Sequence, residues 1–323
     1  MRSIPDVASR ILSPRLIRLL AAVSLSVFLV SLTACRRGTE GKDLAAAGLK
    51  TANVMASYYD SLAQDVADTW EMEAFTSTLR ELPADSTAGE QLQETINALN
   101  RRKLLAQRLA TTYQALEDLA SYDASAEVGT AAANLGDAMQ GIPGLPGGLS
   151  NPSGLFSAAA TQLVSWKRTR DARKGAETLV GTLESLNTLF QKELPACQSI
   201  SQERQNKVVI ITRYLIQHKM VEAWPLLNKV PRSLGLKWSR DMSPPEDEKT
   251  TQALIALAQV RLTRMGMLSS AAGSEISQSL QLLLASHRQF LAKQPVDLAT
   301  VQAGLQKSSS YLEEIEKLRE EPE

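Results

Sequence analysis

Apolar residues recur at helical spacing along most of the chain. Val54, Tyr58, Leu62, Val66 and Trp70 fall every fourth position and line one face of a helix. Met72, Phe75 and Leu79 extend that face until Pro83 closes it, so the spacing predicts a first helix over about 42–81. Thr87 and Glu90 have capping-box spacing and open a second helix. Its seam of Leu92, Leu99, Ala106, Leu109, Tyr113 and Leu116 is close to a heptad, with Thr95 and Arg102 interrupting it. A seam of that kind calls for a long partner. The short link between the two helices makes the first helix that partner, in antiparallel orientation.

The second half of the chain repeats this grammar with more punctuation. Residues 124–140 are mostly small, and the Gly/Pro-rich loop 141–154 forbids a continuous helix. A third long helix is expected over about 154–192, with Ala176, Leu179, Leu183, Leu186 and Phe190 on one face and Pro195 as its stop. Ser199 and Gln202 suggest the next start. Val208, Ile211 and Leu215, widened by Val209, Ile210, Ile216 and Met220, predict a broad, well-buried helical surface. The β-branched run 208–212 could also form a strand, but its polar flanks and length favour helix. Residues 224–242 read as irregular, and Ser243-Pro244-Pro245-Glu246 reads as a helix start. Leu254, Leu257, Arg261, Met265 and Leu268 share one face of that helix, Gly273 is expected to break or kink it, and Ile276, Leu280, Leu283, His287 and Leu291 follow. After Pro295, Asp297 can cap a last helix striped by Leu298, Val301, Leu305, Leu312 and Ile315, with an acidic, solvated tail beyond Glu313. No convincing strand pair or internal repeat appears. The expectation is an all-α, elongated bundle of seven to eight helices with long antiparallel helical hairpins. A hairpin region at 42–193 is followed by a C-terminal bundle region at 195–320.

The first residues follow a different rule. Arg2, Arg10, Arg15 and Arg18 precede LLAAVSLSVFLVSL, the uncharged run 19–32. As a helix this run spans roughly 21 Å, short of the ~30 Å hydrocarbon core of a bilayer. A positive start followed by a short apolar run reads as a secretory signal. Leu32-Thr33-Ala34-Cys35 then places an aliphatic residue and two small residues before a cysteine. This segment resembles the lipobox of bacterial lipoprotein precursors. The resemblance covers only the targeting segment and implies cleavage between Ala34 and Cys35. It also implies diacylglycerol transfer to the Cys35 thiol and acylation of the new amino terminus, commonly with palmitate. It divides the chain into a signal peptide at 1–34, a linker at 35–41 and the mature helical region. Arg36 stands where enterobacterial relatives retained in the inner membrane carry Asp, which leans towards the periplasmic face of the outer membrane in a diderm host.

Charge and composition narrow the function classes. The chain balances 35 Lys+Arg against 35 Asp+Glu. Loss of residues 1–34 takes away four Arg and one Asp and leaves a net charge of −3. Nucleic-acid binding needs a basic excess, so no nucleic-acid partner is expected. With 2 His and 2 Cys there is little to build a metal site, and no catalytic residue, cofactor or metal is assigned. Cys197 reads as a small apolar filler, and His218 and His287 as partly buried, satisfied histidines. Lys167, Arg168, Arg170, Arg173 and Lys174 form a basic cluster suited to anionic headgroups or an acidic partner. Residues 138–166 carry no charge at all, and within them Ile142, Pro143, Leu145, Pro146 and Leu149 form a loop suited to a protein partner or a membrane. The function these features imply is a lipid-anchored, non-enzymatic scaffold or binding module of the cell envelope, tied to membrane lipid through Cys35 and to a protein partner through its helical faces. Two alternatives stay open: membrane perturbation through 138–166, and an envelope enzyme or ligand-binding protein.

Overall fold

Six helices make up almost all of the computed structural model, which describes residues 14–79, 86–121, 125–140, 142, 171–221 and 248–320. They are α1 (Pro14–Leu79), α2 (Ser86–Ser121), α3 (Ser125–Gln140), α4 (Asp171–Gln217), α5 (Glu248–Leu291) and α6 (Ala299–Glu320). The protein is all-α, and the run 208–212 is helical, as its flanks suggest. The helix start at 243–246 and the irregular stretch 224–242 lie outside the described residues, as do the capping-box side chain of Thr87 and Pro83.

α1 is the spine. It touches α2, α4, α5 and α6, while α3 packs on α2. The every-fourth stripe explains this role, because Tyr58, Leu62 and Val66 are buried, and so are the interleaved Met55, Tyr59 and Ala63. A helix apolar over so wide an arc needs neighbours on several sides. The stripe weakens towards the end of α1, where Trp70, Phe75 and Leu79 are each more than a third exposed. The seam of α2 is buried at Leu99, Ala106, Leu109, Tyr113 and Leu116. Its residue numbers fall as those of α1 rise. Trp70 approaches Gly89, Asp60 pairs with Lys103 at 2.6 Å, and Gly48 faces Tyr113. α5 also runs against α1, since Tyr58 faces Gly273 and Gly41 faces Phe290. At two of these crossings only glycine fits. A methyl group on Gly48 would lie 2.2 Å from the Tyr113 ring, and one on Gly273 would lie 2.7 Å from both Tyr58 Oη and Leu194 Cδ1.

Four expectations about breaks and ends are corrected here. The linker expected at 35–41 is helical, so α1 runs without interruption through Cys35 into the bundle. Pro195 does not stop a helix but sits inside α4, and Ser199 and Gln202 are interior positions, not a cap. The proline lacks the N–H that the Gln191 carbonyl would accept; both residues are exposed, so that carbonyl is open to solvent. Gly273 does not break α5, because its missing side chain is what lets α1 and α4 approach. The tail beyond Glu313 is not simply solvated, since Ile315 is buried and the Arg319 side chain lies inside the bundle. The broad face of α4 is also less covered than expected, with Ile210 at 57% exposure.

Asp297 caps α6, accepting a 3.0 Å hydrogen bond from the Ala299 N–H. α5 ends in a Schellman turn, in which Gln294 N–H donates to Gln289 O at 2.9 Å and Lys293 N–H to Phe290 O at 3.1 Å. Lys293 occupies the left-handed position of that turn at φ 62°. Glycine takes this conformation without the Cβ clash. Lys293→Gly is therefore expected to raise stability by ~0.5–1 kcal/mol, read as a higher urea midpoint with an unchanged slope.

Candidate functional site

The end of the bundle nearest Cys35 gathers the close of α5 and the close of α2. Ala34 and Cys35 lie within the backbone of α1, and among the residues of α1 whose burial is described, 40 onwards, Leu44 is the first that is buried. The Phe290 ring lies 3.5 Å from where a Gly41 Cβ would sit, so the last turn of α5 stands beside the start of the packed part of α1. Extending the α1–α2 pairing by the same arithmetic puts the end of α2, Ser121, opposite residue 40 as well. α1 continues past the close of α5 towards Cys35, and α4, whose Glu184 pairs with Arg288 at 2.6 Å, extends thirteen residues further back to Asp171. Around it Lys42, Asp43, Lys293 and Gln294 are exposed.

The chemistry-bearing groups lie inside the bundle, where each is committed to structure. His287 is 5% exposed. Its Nδ1 bonds the Leu283 carbonyl at 2.9 Å, which can only accept, so Nδ1 carries the proton. Nε2 then accepts from Tyr113 Oη at 3.2 Å. Burial pushes the His287 pKa down to about 4 and keeps the imidazole neutral. Cys197 is an unpaired, buried thiol, and burial reinforced by Glu193 pushes its pKa up to about 12, the opposite of a reactive cysteine. His218 differs from expectation. It is exposed in the turn after α4, with its ring centroid 4.3 Å from that of Tyr214.

Two charge clusters stitch the helices together. Arg102 of α2 forks onto Glu193 of α4, its Nε donating at 2.8 and 2.7 Å to the two carboxylate oxygens, while Nη1 donates to Ala98 O at 2.9 Å. The Glu193 hydrogen bonds hold the guanidinium charged against the cost of burial. The second cluster is deeper. Asp65 of α1 lies between Arg204 of α4, at 3.3 Å, and Arg319 of α6, whose Nη2 also donates to Ser61 O at 3.1 Å. Burial pushes the Asp65 carboxyl up, against the pull of both guanidiniums. The Nε atoms of Arg204 and Arg319 have no hydrogen-bond partner.

One recess among the described residues, lined by Met55, Tyr59, Arg102, Leu105, Leu109 and Leu186 among others, has room for about one water. Among the described residues no group of three or more His, Cys, Asp or Glu could hold a metal ion. No helix of the described residues is long and apolar enough to cross a membrane. The chain matches no family model, no curated protein and no solved structure. What it does must therefore be read from its own residues.

The residues singled out in the sequence are not brought together. Ile142 is not a loop residue free to meet a partner. It is 5% exposed and belongs to the core, next to the buried Met139 of α3. Pro143, Leu145, Pro146 and Leu149 lie outside the described residues, as do Lys167, Arg168 and Arg170. Arg173 and Lys174 fall in the first turn of α4, with side chains outside the described set. The Asp65, Arg204 and Arg319 cluster is one that sequence reasoning missed. Its signal was there: Arg204 sits at helical spacing among Cys197, Ser201, Val208 and Ile211, all buried. A charge in such a stripe asks for a buried partner.

Proposed function

We propose that the chain is a bacterial envelope lipoprotein, anchored through acylated Cys35 and acting as a non-enzymatic helical scaffold or binding module. The observation that carries this reading is the sequence Leu32-Thr33-Ala34-Cys35 directly after the uncharged run 19–32. One acyl chain holds a protein to a bilayer only marginally, whereas two or three hold it stably. The mature protein would be an elongated bundle of long antiparallel hairpins, seven to eight helices in all. A recess among the described residues admits about one water, and the buried Cys197, His287 and Asp65 are engaged in packing and pairing; both facts favour a protein that presents surfaces over one that encloses a substrate. The uncharged stretch 138–166 supports membrane perturbation less well, because Met139 and Ile142 at its start belong to the core.

The test is metabolic labelling. Labelled palmitate is expected in the full-length protein expressed in a bacterial host and absent from Cys35→Ser. The substituted protein should also keep its signal peptide and run at the precursor mass. Equal mass and equal membrane partitioning for the two proteins would overturn the reading.

A further inference from the structure

α5 lies between α4 and α6 with α1 behind it, which leaves one side of it to solvent. The solvent-facing side of a surface helix ordinarily carries charge. This one carries none from Ala253 to Gln281, where Ala256, Val260, Thr263, Met267 and Ser274 are all exposed. The charged residues of that span turn to α6 instead. Arg261 Nη2 donates to Leu318 O at 2.6 Å, Arg264 pairs with Glu314, and Glu275 meets Lys307 at 3.6 Å. Val260 and Met267 are 65% and 69% exposed, more than any other large apolar side chain described. We propose that this face docks a second copy of the chain, with the two α5 helices parallel and in register.

Three observations choose that occupant. First, the spacing is that of a helix–helix seam. Ala253, Val260, Met267, Ser274 and Gln281 recur every seven residues, and Ala256 and Thr263 follow the first two by three. Small residues let a second helix come close, whereas a helix lying on lipid carries Trp, Phe or Leu on its apolar face. Second, the charges at the edges suit a parallel pair. A parallel two-fold sets α6 of one copy beside α4 of the other. Gln198 bonds Ser270 at 3.0 Å and Gln205 lies against Gly266, so Glu203 of α4 is level with about residue 267 of α5. Arg264, 63% exposed at the α6 edge, then comes within about three residues of Glu203 of the second copy, 64% exposed at its α4 edge, which is roughly 4.5 Å of rise. An antiparallel pair that seats Val260 on Met267 centres between Thr263 and Arg264 and brings the two Arg264 charges together. Third, the area is sufficient. The stripe from 253 to 281 is roughly 42 Å long, and two helix spacings of width give it roughly 750 Å² per copy, close to the ~800 Å² each partner contributes to a stable interface. Parallel pairing also leaves Cys35 of both copies at one end, as anchorage in a single membrane requires, although the pairing itself does not depend on acylation.

The test is disulfide crosslinking of the full-length protein in cells of the expressing host. In the parallel pair Met267→Cys meets its own counterpart. In an antiparallel pair the two lie about seven residues apart, roughly 10 Å, which is beyond disulfide reach. Gln107→Cys, exposed on α2, is the control, and the parent reports any background from Cys35. Cys197 is buried and does not compete. Mild oxidation is expected to convert at least about fivefold more of Met267→Cys than of Gln107→Cys into a reducible species of twice the mass. In detergent solution the parent is expected to scatter light as a dimer. Met267→Glu, which faces two carboxylates across the seam, should raise the dissociation constant at least about tenfold with helix content unchanged. Equal crosslinking at 267 and 107, or a monomeric parent, overturns the proposal. Intact mass of the same samples reports acylation of Cys35, so a failure of pairing and a failure of the lipoprotein reading are read separately.

Discussion

Replacing Asp65 with Ala is expected to cost about 3 kcal/mol, read as a fall in the urea midpoint, and to loosen the packing of α6 on α1. Asp65 is the carboxylate shared by two guanidiniums whose side chains are each 9% exposed. Removing it leaves two buried positive charges facing each other across the seam. The remaining partners soften the loss without cancelling it. Asp68 reaches Arg204 only at 3.6 Å and is a third exposed, and Glu316, which meets Arg319 at 2.6 Å, is half exposed. The sign changes if the whole cluster is removed at once. Arg319 Nε has no hydrogen-bond partner, and Arg204 Nε meets Asp65 only as a 3.3 Å ion pair without hydrogen-bond geometry, so the cluster is not fully satisfied. A triple change, Asp65→Leu with Arg204→Met and Arg319→Met, is expected to be no less stable than the parent, because packed apolar side chains carry no desolvation cost. A triple variant as unstable as Asp65→Ala would show that the charges contribute more than they cost.

The same cluster shows where sequence reasoning reaches and where it stops. Periodicity finds which face of a helix is buried, because that depends on local spacing alone. Hence the seam of α2, the stripe of α6 and most of the stripe of α1 were legible. Partners distant in sequence were not. Arg102 stood out as an interruption of a seam, but its partner Glu193 lies 91 positions away. Breaks were misread for a related reason. Proline and glycine have fixed local costs, and whether a helix tolerates them depends on what lies next to them. Pro195 faces water, and Gly273 faces Tyr58 and Leu194. The segment Leu32-Thr33-Ala34-Cys35 is different in kind. A lipobox is read by a membrane enzyme as a string of residue types, so the proposal that this segment is one rests on the sequence. The helical course of residues 36–41 comes from the structure.

The second large effect is a loss of stability in mild acid, and it isolates His287. The imidazole sits in the core with its Nδ1–H held by Leu283 O and its Nε2 accepting from Tyr113, so both nitrogens are used by the neutral form. A proton on Nε2 would oppose the Tyr113 hydroxyl and place a charge in an apolar site. In the unfolded chain the ring titrates near 6.5, and in the fold burial lowers this to about 4. Between those values the unfolded state binds the extra proton and the folded state does not. The contribution is therefore fully present above about pH 6.5 and is lost as pH falls towards 4, by about 3 kcal/mol in total. Asp65 acts in the opposite direction, because burial pushes its carboxyl above 3.8 and protonation there favours the fold. Comparing the parent with His287→Gln at each pH cancels that term, since Asp65 is common to both. The substituted carboxamide can still accept from Tyr113 and donate to Leu283 but cannot titrate. Urea midpoints measured from pH 7.5 to pH 4.5 are expected to fall more steeply for the parent than for His287→Gln, so that the two curves converge in acid. Parallel curves would mean that the Tyr113–His287 pair is open to water in solution and that the imidazole titrates at its ordinary value.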